Sequence, residues 1–363
     1  MKQVVNTLLC LSLVLFIGCG GDKTDEIALA KQEIEAGLYS KAEMRLEQLV
    51  EKKSQNVDAQ CLLAAVYSRQ DESQKLETTA EKLRELGKPA IDKLVTTMRY
   101  EPNMAEDMAK VLAVVGEPAV DGLIPALGDA TIRVRGSAAS ILTTIGAPAV
   151  SPLIAALESP DVLIKAGAAG ILGNIGDTAS IEALTAKLED GSPHVRIEAA
   201  AALYRLGDKS HVNVITDGLG SDLLSTRRAA ATAMKDVVEE PPVDPLLKAA
   251  MDNDVQVRAA ALHALGKAND ERAIAPMIEA LKAKDDALRV AAADALREAG
   301  ELAVMPLVDL IGSERDEGTL YKAVQTLGDI GDKRAVKALE KVYEEDKRPL
   351  VRQEAAIALN KIE

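Results

Sequence analysis

The chain has 363 residues and a formal net charge of −14, from 43 Lys and Arg against 57 Asp and Glu. A charged fraction of 28% excludes a wholly disordered chain, and the acidic excess disfavours non-specific binding to nucleic acid or anionic lipid. The sequence contains no Trp and a single Phe. Leu, Ile, Val and above all Ala must therefore fill the core, and we expect no nucleic-acid partner.

The N-terminus has the pattern of a secretory signal. A lysine follows the start, an apolar stretch runs from Leu8 to Ile17, and the small residue Gly18 closes the segment. The apolar stretch is shorter than the roughly 20 residues that cross a bilayer. We therefore predict a signal peptide over residues 1–18.

The junction Phe16-Ile17-Gly18-Cys19 resembles the lipobox of bacterial lipoproteins. The resemblance implies cleavage before Cys19, lipid attachment at Cys19, a short linker over residues 19–23 and a place in the bacterial cell envelope, with membrane contact through the anchor only. Gly20 favours the outer membrane facing the periplasm by the sorting rule of enteric bacteria; the outer face of the cell membrane is the alternative. Phe16 stands where Leu is usual, so ordinary cleavage and a retained Cys19 stay open.

The three cysteines have separate predicted fates. Cys10 is lost with the leader and Cys19 is lipidated, so Cys61 is left alone and no internal disulfide can form. Cys61 lies in a helical pattern, Ala59-Gln60-Cys61-Leu62-Leu63-Ala64, which predicts a buried and unreactive thiol.

Residues 24–86 have a helical pattern of small and apolar side chains. Its positions are Ala30, Ile34, Gly37, Tyr39, Ala42 and Leu46, then Ala59, Leu62, Ala65 and Tyr67. This pattern resembles a tetratricopeptide repeat followed by a partial one. The resemblance implies that Gly and Ala lie where two antiparallel helices cross and that Tyr39 packs in the turn. A generic helical cap for the rest of the chain is the alternative.

From Gly87 onward the sequence repeats with a step of about 30 residues. Segments open at Gly87, Gly116, Gly146, Gly176, Gly207, Gly266, Gly300 and Gly331. Each glycine suits the left-handed end of a helix, and each segment then carries two apolar helical stretches. Ser159-Pro160 and Ser192-Pro193 are predicted to cap and begin second helices. The pattern predicts an all-α fold, an α-solenoid over residues 87–363.

These units resemble the short HEAT repeats of the phycobilisome-lyase-like class, with about nine helical hairpins from Gly87 to Ile362. The signature is a basic residue near the start of each second helix: Arg135, Lys165, Arg196, Arg227, Arg258, Arg289 and Arg352. The steps are 30, 31, 31, 31, 31 and 63, with Leu320 in the interrupted unit. The resemblance implies a structural ladder that ties adjacent repeats. A groove for an acidic ligand is the alternative. Asp161, Asp254 and Asp285, four residues before a ladder residue, are predicted caps.

The sequence offers few residues for catalysis. His194, His211 and His263 are its only histidines, and none is followed by Glu; no zinc, Cys-x-x-Cys, nucleophile-elbow or phosphate-loop motif occurs. Gly167, Gly170 and Gly173 lie on one helical face, which predicts close helix packing. We therefore expect no catalytic residue, no cofactor, no metal site and no small-molecule substrate.

Three activities of related repeat proteins fit poorly. The sequence lacks the His-Glu pairs of deoxyhypusine hydroxylase, has an export signal unlike bilin lyases, and lacks the basic aromatic groove of HEAT-like DNA glycosylases. The sequence thus predicts a membrane-tethered HEAT-repeat scaffold for protein–protein interaction at the cell envelope. The resemblance implies that second helices line its concave face. An enzyme or metal binder built from scattered acidic side chains, and a structural spacer, are the alternatives.

Overall fold

The computed structural model describes residues 25–314 and 316–362, and within these residues it contains helices and no β-strand. The predicted signal peptide and Cys19 lie outside the described residues. The chain divides into two compact units between Ala119 and Val120. The predicted boundary between residues 86 and 87 stays a prediction.

Unit 1, the described residues up to Ala119, is built from helical hairpins. Its helices are α1 Glu26–Glu35, α2 Tyr39–Lys52, α3 Val57–Arg69, α4 Ser73–Leu86, α5 Lys88–Tyr100 and α6 Ala105–Val115. The apolar positions of the N-terminal pattern form its core: Ala30, Ile34, Ala42 and Leu46 are fully buried. An ion pair of 2.6 Å between Arg69 Nη2 and Asp107 Oδ2 connects α3 to α6. The helical pattern predicted from the sequence is therefore present.

Unit 2, the described residues from Val120 onward, alternates first and second helices. The first helices are α7 Val120–Leu123, α9 Val150–Ala156, α11 Ile181–Ala186, α13 Val212–Leu219, α15 Val243–Ala249, α17 Ile274–Leu281, α19 Glu301–Ser313 and α21 Val336–Glu345. The second helices are α8 Ile132–Ile145, α10 Val162–Ile175, α12 Pro193–Arg205, α14 Leu224–Val237, α16 Val255–Lys267, α18 Asp286–Ala299, α20 Glu317–Ile330 and α22 Pro349–Ile362. Together with α5 and α6, the described residues contain the nine predicted hairpins.

Aspartate caps begin several second helices, as predicted. Oδ1 of Asp161 accepts the N–H of Leu163 at 2.7 Å, and Asp254 and Asp285 accept backbone N–H groups of the next helix in the same way. Ser192 and Pro193 also occupy the predicted cap and first position of α12. The predicted cap Ser159 is wrong, because Asp161 caps α10 and the Ser159 hydroxyl accepts the N–H of Asp161.

Left-handed glycines end the helices at seven of the eight predicted positions, for example Gly176 with φ 78° and Gly331 with φ 75°. At these positions the absence of Cβ relieves the backbone. Gly266 is the exception, since it lies inside α16 and Asn269, with φ 47°, takes the left-handed position that follows. Asn tolerates this conformation better than most residues, so the prediction for Gly266 is wrong.

Candidate functional site

Consecutive second helices of unit 2 pack directly against each other. Their crossings need residues without side chains: a Cβ on Gly173 would lie 2.6 Å from Cα of Ala202, and one on Gly328 would lie 2.6 Å from Cβ of Ala358. A Cβ on Gly266 would lie 2.8 Å from the carbonyl oxygen of Ala295. Glycine and alanine thus bring these helices close together, in a core built mainly from aliphatic side chains, with Tyr204 also buried in it. We call the solvent-facing side of the eight second helices, the even-numbered helices from α8 to α22, the second-helix face.

The arginine ladder closes turns within hairpins. In five repeats Nη1 of the ladder arginine donates to the carbonyl oxygen six residues upstream, in the turn between first and second helix. The distances are 2.7 Å for Arg135 to Asp129, 2.8 Å for Arg196 to Asp190, 2.9 Å for Arg227 to Ser221, 2.7 Å for Arg258 to Asp252 and 3.1 Å for Arg289 to Ala283. Arg352 lies exposed near the start of α22.

Two ladder residues also reach the next hairpin. Lys165 Nζ lies 2.6 Å from Oδ2 of Asp190, and Arg227 Nε lies 2.6 Å from Oδ2 of Asp252. The hydrogen bond from Arg227 lowers the pKa of Asp252. The acidic partners come 25 residues after the basic ones, so the predicted caps Asp161, Asp254 and Asp285 are not the acidic partners of these two contacts. The cationic side chains of Lys165 and Arg227 are therefore already paired with carboxylates of the protein itself.

Exposed apolar side chains concentrate where second helices begin. Ile132 at the start of α8 is 76% exposed and Leu350 in the first turn of α22 is 61% exposed. Leu163, Leu223, Leu224 and Val290 are also exposed near such helix starts. In water each of these side chains costs free energy that contact with another apolar surface would recover. This side of unit 2 is therefore the candidate binding surface.

Two grooves in the second-helix face contain four of these apolar residues, Ile132, Leu163, Val290 and Leu350. Groove A crosses α8, α10 and α12, has a volume of about 390 Å³, and is lined by Ile132, Leu163, Gly136, Gly167, Gly170, His194 and Glu198 among others. Groove B crosses α18, α20 and α22, has a volume of about 540 Å³, and is lined by Val290, Tyr321, Leu350, Asp286, Arg289 and Lys322 among others.

The glycines of α10 divide between packing and groove. Gly173 fits the predicted close packing, and Gly167 and Gly170 line groove A. A Cβ on Gly167 would make only ordinary contact with Leu127 at 3.5 Å, and one on Gly170 would lie 3.1 Å from Oε2 of Glu198. The packing interpretation therefore holds for Gly170, where a Cβ would crowd Glu198 of the neighbouring helix α12, and is wrong for Gly167.

The histidines lie apart from one another. His194 lines groove A, His263 lines another groove across α14, α16 and α18, and His211 pairs with Asp208 at 3.4 Å. Burial lowers the pKa of His194 and of His263. Among the described residues no group of three or more His, Cys, Asp or Glu is arranged to hold a metal ion.

Sequence reasoning missed Glu198. Its side chain lies on the wall of groove A, and it forms no hydrogen bond or ion pair within the described residues. Burial raises its pKa; the nearby charge of Arg205 acts in the opposite direction and that of Asp236 in the same one. The spacing of four residues from His194 to Glu198 indicates that both side chains lie on one helix face, and this spacing is the signal in the sequence that points to Glu198.

The described helices are short relative to a bilayer. Within residues 25–314 and 316–362, no single helix is long and apolar enough to cross a bilayer. One pair, Ile132–Ile145 with Ala147–Ala156, meets the length and composition criteria together but bends by 115°.

Stacked helical hairpins with one such face define an α-solenoid. The family profile of HEAT repeats matches residues 150–235, 219–297, 243–316 and 277–360, which together cover more than half of the chain. The chain therefore belongs to the HEAT-repeat family. No curated protein matches it.

Several solved structures are similar to this chain. Kap121p is 13% identical with a TM-score of 0.50 over 93% of this chain and 49% of its own, so the chain spans about half the length of Kap121p. The CpcE–CpcF complex of phycocyanin lyase from Nostoc is 23% identical over 59% of this chain and 94% of the other, with a TM-score of 0.36. Human deoxyhypusine hydroxylase is 22% identical over 68% and 96%, with a TM-score of 0.30.

Proposed function

We propose that this chain is a lipid-anchored HEAT-repeat scaffold that binds another protein at the bacterial cell envelope through its second-helix face. The observation that carries the proposal is the concentration of exposed apolar side chains, Ile132 and Leu350 foremost, in grooves A and B. Exposed apolar patches with polar surroundings mark protein interaction sites. In this proposal the protein binds and does not catalyse.

The ladder supports this assignment of the binding surface. Arg135, Arg196 and Arg258 donate to turn carbonyls of their own hairpins, and Lys165 and Arg227 reach the next hairpin. A partner that recognised an arginine row would have to break these contacts. We therefore assign the ladder to the architecture and the apolar residues beside it to binding.

The anchor and the N-terminal hairpins complete the proposal. The lipobox-like junction at Cys19 supports attachment to the outer membrane facing the periplasm, or to the outer face of the cell membrane. We propose that α1 to α4 are tetratricopeptide-like. Gly37, with φ 73°, turns the chain just before Tyr39 begins α2, and buried Ala30 and Ala42 lie in the paired helices. These hairpins would offer a second site for a peptide.

The test isolates the tagged full-length protein from its own envelope after mild crosslinking, at native expression. We expect a stoichiometric protein partner, and a loss of about tenfold or more in its recovery from the double variant Ile132→Asp with Leu350→Asp, because a charge in a desolvated apolar contact is costly. Met305→Asp is the matched control: Met305 is an exposed apolar residue on the first helix α19.

Two outcomes contradict the proposal. One is an intact, membrane-attached protein that recovers no envelope protein; the other is equal recovery from the double variant. A stoichiometric transition metal in protein purified without chelator would favour the alternative of an enzyme or metal binder.

A further inference from the structure

Groove A combines an apolar rim with one uncompensated acid. Ile132 and Leu163 form the rim, and Glu198 lies between α10 and α12 with Oε2 beside Gly170. Two other partly buried carboxylates of unit 2 have cationic partners: Asp190 has Lys165 and Asp252 has Arg227. A carboxylate taken partly out of water without an ion-pair partner costs free energy. A ligand that brought a cation to Glu198 would recover part of this cost.

Burial raises the pKa of Glu198 and the charge of nearby Arg205 lowers it, but no cation of the described residues forms an ion pair with this carboxyl group. Arg135 also lines groove A, but its Nη1 donates to the carbonyl oxygens of Asp129 and Ala130 at 2.7 and 3.2 Å. His194 lies one helical turn from Glu198, and burial favours its neutral form. An external cation that reaches Glu198 would therefore form a charge-assisted hydrogen bond that nothing in the described residues now makes.

The shape of groove A indicates a polypeptide segment as the source of this cation. The groove crosses three neighbouring helices, and axes of packed helices lie about 8–10 Å apart, so the apolar rim extends beyond the reach of one side chain. Gly136, Gly167 and Gly170 line the groove without side chains, and the space is open at Gly136, where a Cβ would meet no atom within 4 Å. A backbone can approach closely there while its apolar side chains cover Ile132 and Leu163.

We propose that groove A binds a segment of the partner protein in which a Lys or Arg is flanked by apolar residues, with the basic side chain paired to Glu198. This inference rests on the proposed function and names the chemistry of the segment that the scaffold takes. Apolar contacts would supply most of the affinity, and the buried ion pair would select the basic residue over neutral or acidic ones.

The first test selects 15-residue peptides from a random phage-displayed library on the full-length protein in detergent micelles. We expect selected peptides to carry a Lys or Arg between apolar residues. Their Kd should rise about tenfold or more for Glu198→Gln, and by a similar factor when the peptide's basic residue becomes Gln. The two losses should not add when both changes are present, because they remove the same contact.

Glu182→Gln is the matched control. It removes the same charge from an exposed position on the first helix α11, and peptide affinity should not change. Glu198→Gln should unfold at the same temperature as the wild type or a higher one, because it replaces an unpaired carboxyl group that no other residue needs. A lower melting temperature would assign Glu198 to stability and overturn the inference.

The remaining outcomes also overturn it: no selected peptide, selected peptides without basic residues, equal affinity for Glu198→Gln, or a site that takes small amines and no peptide. The envelope isolation described above separates this inference from the proposed function. If Glu198→Gln recovers the envelope partner as well as the wild type does, the scaffold stands and the role of Glu198 is wrong. If the wild type recovers no protein, the proposed function fails first.

Discussion

At the scale of single residues, Leu265 tests how the core of unit 2 is packed. Leu265 in α16 is 1% exposed and packs in the core between hairpins. Leu265→Ala should lower the free energy of unfolding by about 2–5 kcal/mol, the usual cost of removing a buried leucine side chain. Chemical denaturation measures it, with the exposed Leu223→Ala as control. A change below about half a kcal/mol would contradict the assigned hairpin register.

Cys61 illustrates the effect of burial on reactivity. The thiol is buried, and burial raises its pKa to about 12, so at pH 8 almost no thiolate is present to react. In a variant with Cys10 and Cys19 replaced by Ser, a thiol reagent at pH 8 should modify Cys61 only after denaturation. Rapid modification of the native protein would show that this part of unit 1 opens readily.

At the scale of secondary-structure elements, the close crossings of second helices should not tolerate an added Cβ. Gly328→Ala places a Cβ 2.6 Å from that of Ala358, so α20 and α22 must separate, and we expect a loss of about 1–3 kcal/mol. Gly312→Ala in α19, where a Cβ meets no atom within 4 Å, should gain up to about 1 kcal/mol from helix propensity. Denaturation curves compare the two, and a stabilising Gly328→Ala would contradict the described crossing.

The sequence is sufficient to predict the order of these elements. Left-handed glycines such as Gly176 and acidic caps such as Asp254 act locally, so their spacing reveals where each helix ends and begins. The face that a residue presents to its neighbours is not local. Gly266 serves a helix crossing rather than a helix end, and Gly167 borders a groove rather than a crossing.

The candidate site was less accessible to sequence reasoning for the same reason. The ladder arginines are regular in sequence, but their carbonyl acceptors and the partners Asp190 and Asp252 depend on the turn and on the next hairpin. Glu198 is one acidic residue among many, and only the packing of α12 against α10 shows that it lies in groove A.

At the scale of the whole molecule, the proposed lipid anchor at Cys19 would attach the protein to a membrane. If Cys19 carries the lipid, Cys19→Ala should release the protein into the soluble fraction or stall its processing, because stable anchoring needs the acyl chains. Fractionation and the mass of the mature N-terminus measure this. The matched control is Cys61→Ala, which leaves the lipobox-like junction intact. Unchanged membrane attachment of Cys19→Ala would contradict the lipid anchor.

The central claim is that the second-helix face of unit 2 binds a protein partner. The most direct measurement introduces a photoreactive amino acid singly at Ile132, Leu163, Val290 and Leu350 on this face and at Met305 and Glu182 on first helices, then crosslinks in intact cells. If the second-helix face binds the partner, we expect adducts to one envelope protein from the second-helix positions and not from the first-helix positions. Adducts from the first helices alone, or no protein adduct from any position, would contradict it.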